Sequence, residues 1–195
     1  MPRFSQQEKE RIYEKLLKEG ERLFLTHGIK KVTIDDLAEA VPIAKATFYV
    51  FFEHKESLYF QIIQKRQSEI FKELTDVLTN NKNLPNKERV KQVFQTMEGL
   101  LLQYPIIQKI DNTTIELLSR KISQNQFDGY ANQNVAAVQT MKEHGIQFSC
   151  DEETVSYSFQ ALYHGWLFLG KSKPNIQDKV TNIMLNGIID QIVLD

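Results

Sequence analysis

Residues 33–58 read TIDDLAEAVPIAKATFYVFFEHKESL, the pattern of two short helices joined by a tight break. Thr33 is a good N-cap, and Asp36 sits three residues on, where a capping box normally carries Glu or Gln. Ile34, Leu37, Ala38 and Val41 then share one buried face. Pro42 marks the break, because its ring disfavours a continuous helix and restricts the residue before it. A second helix is expected over residues 44–51, with Phe48 and Phe52, four apart, turned inward together.

A helix-turn-helix needs a bracing helix, a tight turn and a second helix whose solvent face reaches base edges. Lys45, Ala46, Thr47 and Val50 occupy that exposed face. Lys45 can donate to guanine acceptors or phosphate, Thr47 offers a hydroxyl and a methyl, and Ala46 and Val50 suit a thymine methyl. Thr33, Tyr49 and Lys55 are better assigned to phosphate. Taken singly, Tyr49 reads as a partly buried aromatic and each lysine as an ordinary surface lysine. Taken together, their spacing favours DNA contact.

Outward from this segment the pattern stays helical. Ile12, Leu16, Leu23 and Phe24 recur at helical spacing between Lys9 and Thr26, and Gly28 is the expected C-terminal cap. A helix beginning at His54 or Lys55 should run to about Leu78, followed by an Asn-rich loop over residues 79–88. Helical pattern resumes from Glu88 to Tyr104, continues in short pieces to Leu118, and returns from Asn125 to His144, from Glu153 to Leu169 and from Ile176 to Val193. No strand alternation or internal repeat is evident, so the expected fold class is all-α.

The totals exclude several classes. A chain of 195 residues with 42% hydrophobic and 25% charged residues suits a globular protein, not a disordered one. No apolar run is long enough to cross a bilayer, and the N-terminus lacks the apolar centre of a signal peptide, so a cytoplasmic setting is expected. Cys150 stands alone, which excludes an internal disulfide or a thiolate zinc cluster within one chain. The four histidines are scattered without metal-ligand spacing, and no P-loop or dinucleotide fingerprint occurs. Neither enzymatic activity, a metal nor a cofactor is expected. Net charge is −1, and residues 1–60 balance ten Lys/Arg against ten Asp/Glu, so any DNA contact must rest on local placement.

Gly28, Thr33, Leu37-Ala38-Glu39, Lys45, Thr47-Phe48-Tyr49, Phe52, Lys55-Glu56 and Leu58 resemble, in order and spacing, the N-terminal DNA-binding domain of the TetR/AcrR family of bacterial transcriptional regulators. The resemblance covers about the first sixty residues; the remainder is similar only in length and helical layout. It implies a helix-turn-helix domain over residues 1–53 and a larger helical ligand-binding and dimerisation domain over residues 54–195. It further implies a cytoplasmic homodimer on a palindromic operator, usually a repressor, released when a small molecule in the C-terminal domain changes the separation of the DNA-reading heads. Lys45, Thr47 and Tyr49 fall at contact positions of that family's recognition helix.

This chain departs from the family pattern at several positions. Pro42 stands where the family turn usually has glycine, Ala44 replaces a polar cap, and Ala46 replaces a common glycine. Val50 and Phe51 stand where polar, cationic or histidine side chains are common, and Asp35 and Asp36 add negative charge near the expected phosphate path. An apolar-biased recognition surface or weaker, salt-sensitive binding would follow. A helical ligand- or protein-binding protein with attenuated DNA binding is therefore the main alternative, ahead of an all-α enzyme.

For the larger domain, the resemblance favours a ligand cavity over a simply packed core. Phe94, Met97 and Leu101 share a helical face, and Tyr104, Phe127, Tyr130, Met141 and Tyr163 are further candidates for its lining, with Glu116 as a polar contact. Few charges lie between Val155 and Phe168, which favours an apolar or amphipathic effector. Val155, Phe159, Leu162 and Trp166 crowd one late helix; Ile176, Val180, Ile183, Met184 and Ile188 crowd the other. Such a pair would leave a large apolar patch unless a second copy covered it in a four-helix interface.

Overall fold

The computed structural model describes residues 4–123, 126 and 133–195, with the backbone alone described for residues 133–135. It is helical throughout: α1 (Gln6–His27), α2 (Ile34–Ala40), α3 (Lys45–Phe51), α4 (Lys55–Asn80), α5 (Asn86–Gln103), α6 (Asn112–Ser119), α7 (Gln133–Glu143), α8 (Glu152–Ser172) and α9 (Gln177–Ile192). The all-α reading holds, with one addition. Gln147–Phe148 (β1) and Val193–Leu194 (β2) form a two-residue antiparallel ladder, too short to leave any alternation in the sequence. The Asn-rich loop is tighter than expected, because α4 persists to Asn80 and α5 begins at Asn86. Packing divides the chain into two compact units, residues 1–68 with 104–130, and residues 69–103 with 131–195.

In the first unit, Leu16, Leu37, Phe48, Leu58 and Ile63 are fully buried in one apolar cluster. The helices approach closely where α1 has no side chain: a Cβ on Gly20 would lie 2.9 Å from Leu58 Cδ2. Capping defines the ends. Ser5 and Glu8 form a capping box on α1, and Gly28 closes that helix with φ 78° and an N–H donated to Phe24 O. α4 starts on an imidazole: Ser57 N–H donates to His54 Nδ1 at 3.0 Å, and His54 Nε2 lies 3.0 Å from Lys121 O. A nitrogen that accepts a backbone N–H carries no proton, so the ring proton sits on Nε2, which donates to Lys121 O.

The second unit is built on Leu78, Val90, Val93, Phe94, Ile146, Leu162, Leu185, Ile189 and Val193. Its least expected member is Arg89, 4% exposed with no carboxylate among its recorded partners. Its Nη2 donates to Leu78 O at 3.1 Å in the last turn of α4 and to His144 O at 2.8 Å just past α7. Helix C-termini present unpaired carbonyls at the negative end of the dipole, so a guanidinium satisfies both without a counter-ion. Asn86 adds a contact to the chain end, donating from Nδ2 to Leu194 O at 3.0 Å. Arg89→Met should therefore strand two carbonyls at a cost of about 2–4 kcal/mol, read as a lower urea midpoint; an unchanged midpoint would deny Arg89 this role.

Candidate DNA interface

α2 is anchored by the box the sequence suggested. Thr33 N–H and Oγ1–H donate to Asp36 Oδ2 at 2.8 and 2.7 Å, and Asp36 N–H donates back to Thr33 Oγ1 at 3.2 Å. Aspartate closes the box despite being one methylene shorter than the usual Glu. The Thr33 side-chain and backbone hydrogen bonds, in that order, hold the Asp36 carboxyl below its ordinary value.

The turn after α2 has the form of a Schellman motif. Ile43 N–H donates to Ala38 O at 3.0 Å, the six-to-one bond of that motif. Its left-handed position is Pro42, at φ 28°. Proline holds φ near −65° and has no N–H for the second, five-to-two bond, whereas glycine suits both requirements. The chain thus keeps the turn geometry while carrying the residue least suited to it.

α3 follows with Ala44 as N-cap and no side-chain cap bond. A backbone bond from Thr47 N–H to Ala44 O at 2.8 Å closes its first turn instead. Phe48 is fully buried and Phe52 nearly so. Phe52 stacks on Tyr13 of α1 with centroids 5.5 Å apart and planes at 17°. That orientation turns Lys45, Ala46, Tyr49 and Val50 outward, with Thr47 half-buried between the two faces. Tyr49 is 52% and Val50 55% exposed, so the partly buried reading of Tyr49 is set aside.

Two of the candidate cations are already engaged. Lys45 Nζ lies 2.7 Å from Asp35 Oδ2 at the start of α2, an exposed pair. Lys55 Nζ donates to Val32 O at 2.7 Å and Lys30 O at 3.2 Å, tying the α1–α2 loop to the start of α4. The Lys55 ammonium thus braces the loop that presents Thr33 with two of its three N–H groups. Thr33 likewise has its hydroxyl spent on capping. No spacing in the sequence could have shown these carbonyls, since they come from residues more than twenty positions away.

The candidate ligand residues are divided between the two units. Phe94, Met97, Leu101, Met141 and Tyr163 belong to the second unit, Tyr104 and Glu116 to the first, and Phe127 and Tyr130 lie outside the described residues. Phe94 and Leu101 are each 4% exposed, and Phe94, which packs on Phe159 at 6.1 Å, belongs to the core of the second unit. Tyr104 lies under the Arg66 guanidinium at 5.0 Å, and Glu116 pairs with Arg120 on the surface. Two clefts of about 390 and 430 Å³ open in the first unit, and none of the candidate ligand residues lines either.

The late helices divide into two faces that one apolar roll had merged. Val155, Leu162 and Trp166 are buried within the chain's own second unit, so they are corrected from partner-facing to core. Phe159, Val180 and Ile188 are half-buried, the first and last against that same core. The exposed apolar set is Tyr157 and Phe168 on α8 with Ile176, Ile183 and Met184 on α9. Tyr157 and Phe168 were missed, although their spacing of eleven, three helical turns, marks a second stripe. Met184 Cε would lie 3.5 Å from a Cβ on Gly165, an ordinary packing distance, so α8 and α9 meet beside the stripe without requiring a glycine there.

Two short helices joined by a tight turn, the second presenting an outward face, have the helix-turn-helix architecture. The sequence model described as bacterial regulatory proteins, tetR family, matches residues 16–62. This segment contains the second half of α1, α2, α3 and the start of α4, and over it the chain is similar to the N-terminal domain of that family. Solved structures share the fold over almost the whole chain. SmeT, the repressor of the Stenotrophomonas maltophilia multidrug efflux pump SmeDEF, is similar at 16% identity and TM-score 0.68, covering 94% of this chain and 91% of its own. A TetR family transcription regulator from Marinobacter aquaeolei is similar at 18% identity and TM-score 0.66, covering 98% and 100%. Comparison with curated proteins returns no match. Among the described residues, no helix is long and apolar enough to cross a membrane.

Two outcomes test this geometry. Pro42→Gly frees φ and restores the missing N–H, so the urea midpoint should rise by the equivalent of about 1–3 kcal/mol; a fall would show that Pro42 is unstrained. The Asp36 carboxyl, depressed in the folded state, contributes stability that is complete above its unfolded pKa and lost as pH falls through its folded pKa. In Thr33→Val, an NMR titration should find Asp36 returned toward the ordinary carboxylate range, with α2 less sensitive to acid. An unmoved titration would mean that the box bonds do not set it.

Proposed function

We propose that this protein is a homodimeric, ligand-responsive repressor that reads a palindromic operator with α3 and is released by a small apolar or amphipathic molecule. The observation that carries the DNA reading is the outward set Lys45, Ala46, Tyr49 and Val50 on a helix whose opposite side, Phe48, is fully buried. Tyr49 supplies a hydroxyl to phosphate; Thr47, Ala46 and Val50 offer methyl groups to thymine. Lys45 reaches guanine or phosphate by exchanging Asp35 for DNA, an exposed ion pair being a weak competitor. With one short helix per chain, a two-fold arrangement supplies the second half-site.

The partner face in this reading is Tyr157, Phe168, Ile183 and Met184 with Ile176 beside them, the part of α8 and α9 left uncovered in a single chain. Effector response requires a molecule with different affinity for the DNA-compatible and released conformations. In this proposal the effector site draws on Met97, Met141 and Tyr163, which are only partly buried in the second unit.

The deciding measurement is fluorescence anisotropy on duplexes tiling the DNA upstream of the chain's own reading frame. Sequence-dependent retention is expected, weakened across all sequences by Tyr49→Ala and altered in preference by Thr47→Ala. Absence of any sequence-dependent retention at low salt would favour the attenuated-binding alternative, which the occupied ammonium groups of Lys45 and Lys55 support. Asp35→Asn frees Lys45 and removes a charge, so affinity should rise and the salt slope steepen by roughly one. Ile183→Glu with Phe168→Glu should convert a sedimenting dimer to a folded monomer; a persistent dimer would move the interface elsewhere.

A further inference from the structure

The balanced charge of the N-terminal region conceals a segregation that appears only in three dimensions. The smaller cleft of the first unit, about 390 Å³, lies between α1 and α4 and is lined by Arg11, Lys15, Lys18, Lys65 and Arg66 against only Glu14 and Glu21. Both carboxylates are already committed, Glu14 to Lys65 at 2.6 Å and Glu21 to Arg66 through two guanidinium nitrogens. Arg11, Lys15 and Lys18 have no ion-pair partner among the described residues, in a chain whose net charge is −1. The Glu8 carboxyl is lowered chiefly by Ser5 hydrogen bonds and only last by Arg11, so it does not neutralise that guanidinium.

The three unpaired cations are spaced four and three residues apart on α1, which places them on one helical face over about 10 Å. All three are exposed, while Leu17 and Ile62, at 5% and 2% exposure, give the recess an apolar floor. A concave site of this size holds a small molecule, whereas duplex DNA is too wide to enter it. Low-dielectric walls concentrate the field of like charges in such a recess. Lysine and arginine form their strongest hydrogen bonds with phosphate oxygens, and a row of three matches a chain of linked phosphates better than one isolated anion.

We propose that the α1–α4 cleft is a binding site for a small polyphosphate, held by Arg11, Lys15 and Lys18 and distinct from both the recognition helix and the effector site. The ion pairs of Glu14 and Glu21 keep the two carboxylates from repelling the ligand and fix Lys65 and Arg66 at its edge. Binding would clamp α1 to α4 within the unit that carries α3.

The test is calorimetric titration of the full chain with tripolyphosphate, and with inorganic phosphate in parallel, at about 0.15 M salt. One site per chain is expected, with tripolyphosphate clearly preferred over phosphate. Lys15→Gln with Lys18→Gln should weaken it roughly tenfold or more, while Lys72→Gln with Lys82→Gln, exposed lysines elsewhere, should leave it unchanged. Circular dichroism melts establish that both variants fold. No binding by the parent chain, or equal loss in both variants, overturns the site. A second arm measures random-sequence duplex. If the cleft variant loses duplex affinity while tripolyphosphate binding is unchanged, the surface serves the DNA backbone and the small-molecule site is wrong. Since neither arm requires an operator, failure here is separable from failure of the repressor reading.

Discussion

The burial of Phe48 is the constraint on which the outward face of α3, the proposed DNA-reading surface, depends. Its ring is fully enclosed and its neighbour Phe52 stacks on Tyr13 of α1, which sets the rotation of α3 about its own axis. Fixing that rotation decides which side chains meet solvent: Lys45, Ala46, Tyr49 and Val50 face out because Phe48 faces in. A seven-residue helix without a side-chain cap would be marginal alone. It owes its existence to this packing more than to its propensity.

The surrounding turns are held by backbone groups. Lys55 gathers the carbonyls of Lys30 and Val32, and His54 bridges the first turn of α4 and Lys121 O. The same device appears in the second unit, where Arg89 satisfies carbonyls from the ends of two helices. Three cationic or imidazole side chains thus pair with backbone groups in a loop and at helix ends that would otherwise be left unpaired. A residue type associated with phosphate contact can be engaged in this way within the chain itself.

Pro42 shows how a turn can outlast the residue that favours it. The Ile43-to-Ala38 bond and the inward pull of Leu37 and Phe48 fix the path of the chain on both sides. A sequence reading identifies Pro42 as a breaker and places the break correctly, but it gives no sign that the left-handed conformation persists there.

The sequence by itself determined the helices, the capping box at Thr33 and Asp36, the inward pair Phe48 and Phe52, and the likeness of residues 16–62 to the tetR family model. Those are local properties, written in periods of three and four residues and in capping chemistry. Tertiary structure alone decided which cations are free. Lys45 meets Asp35 ten residues away, Lys55 meets the loop before α2, and Arg11, Lys15 and Lys18 gather in a cleft although their region is neutral in sum. It also separated the two faces of α8, sending Val155, Leu162 and Trp166 inward and leaving Tyr157 and Phe168 exposed. The physical reason is common to all of these. Helical periodicity tells which residues share a face, but what that face meets depends on elements distant in sequence.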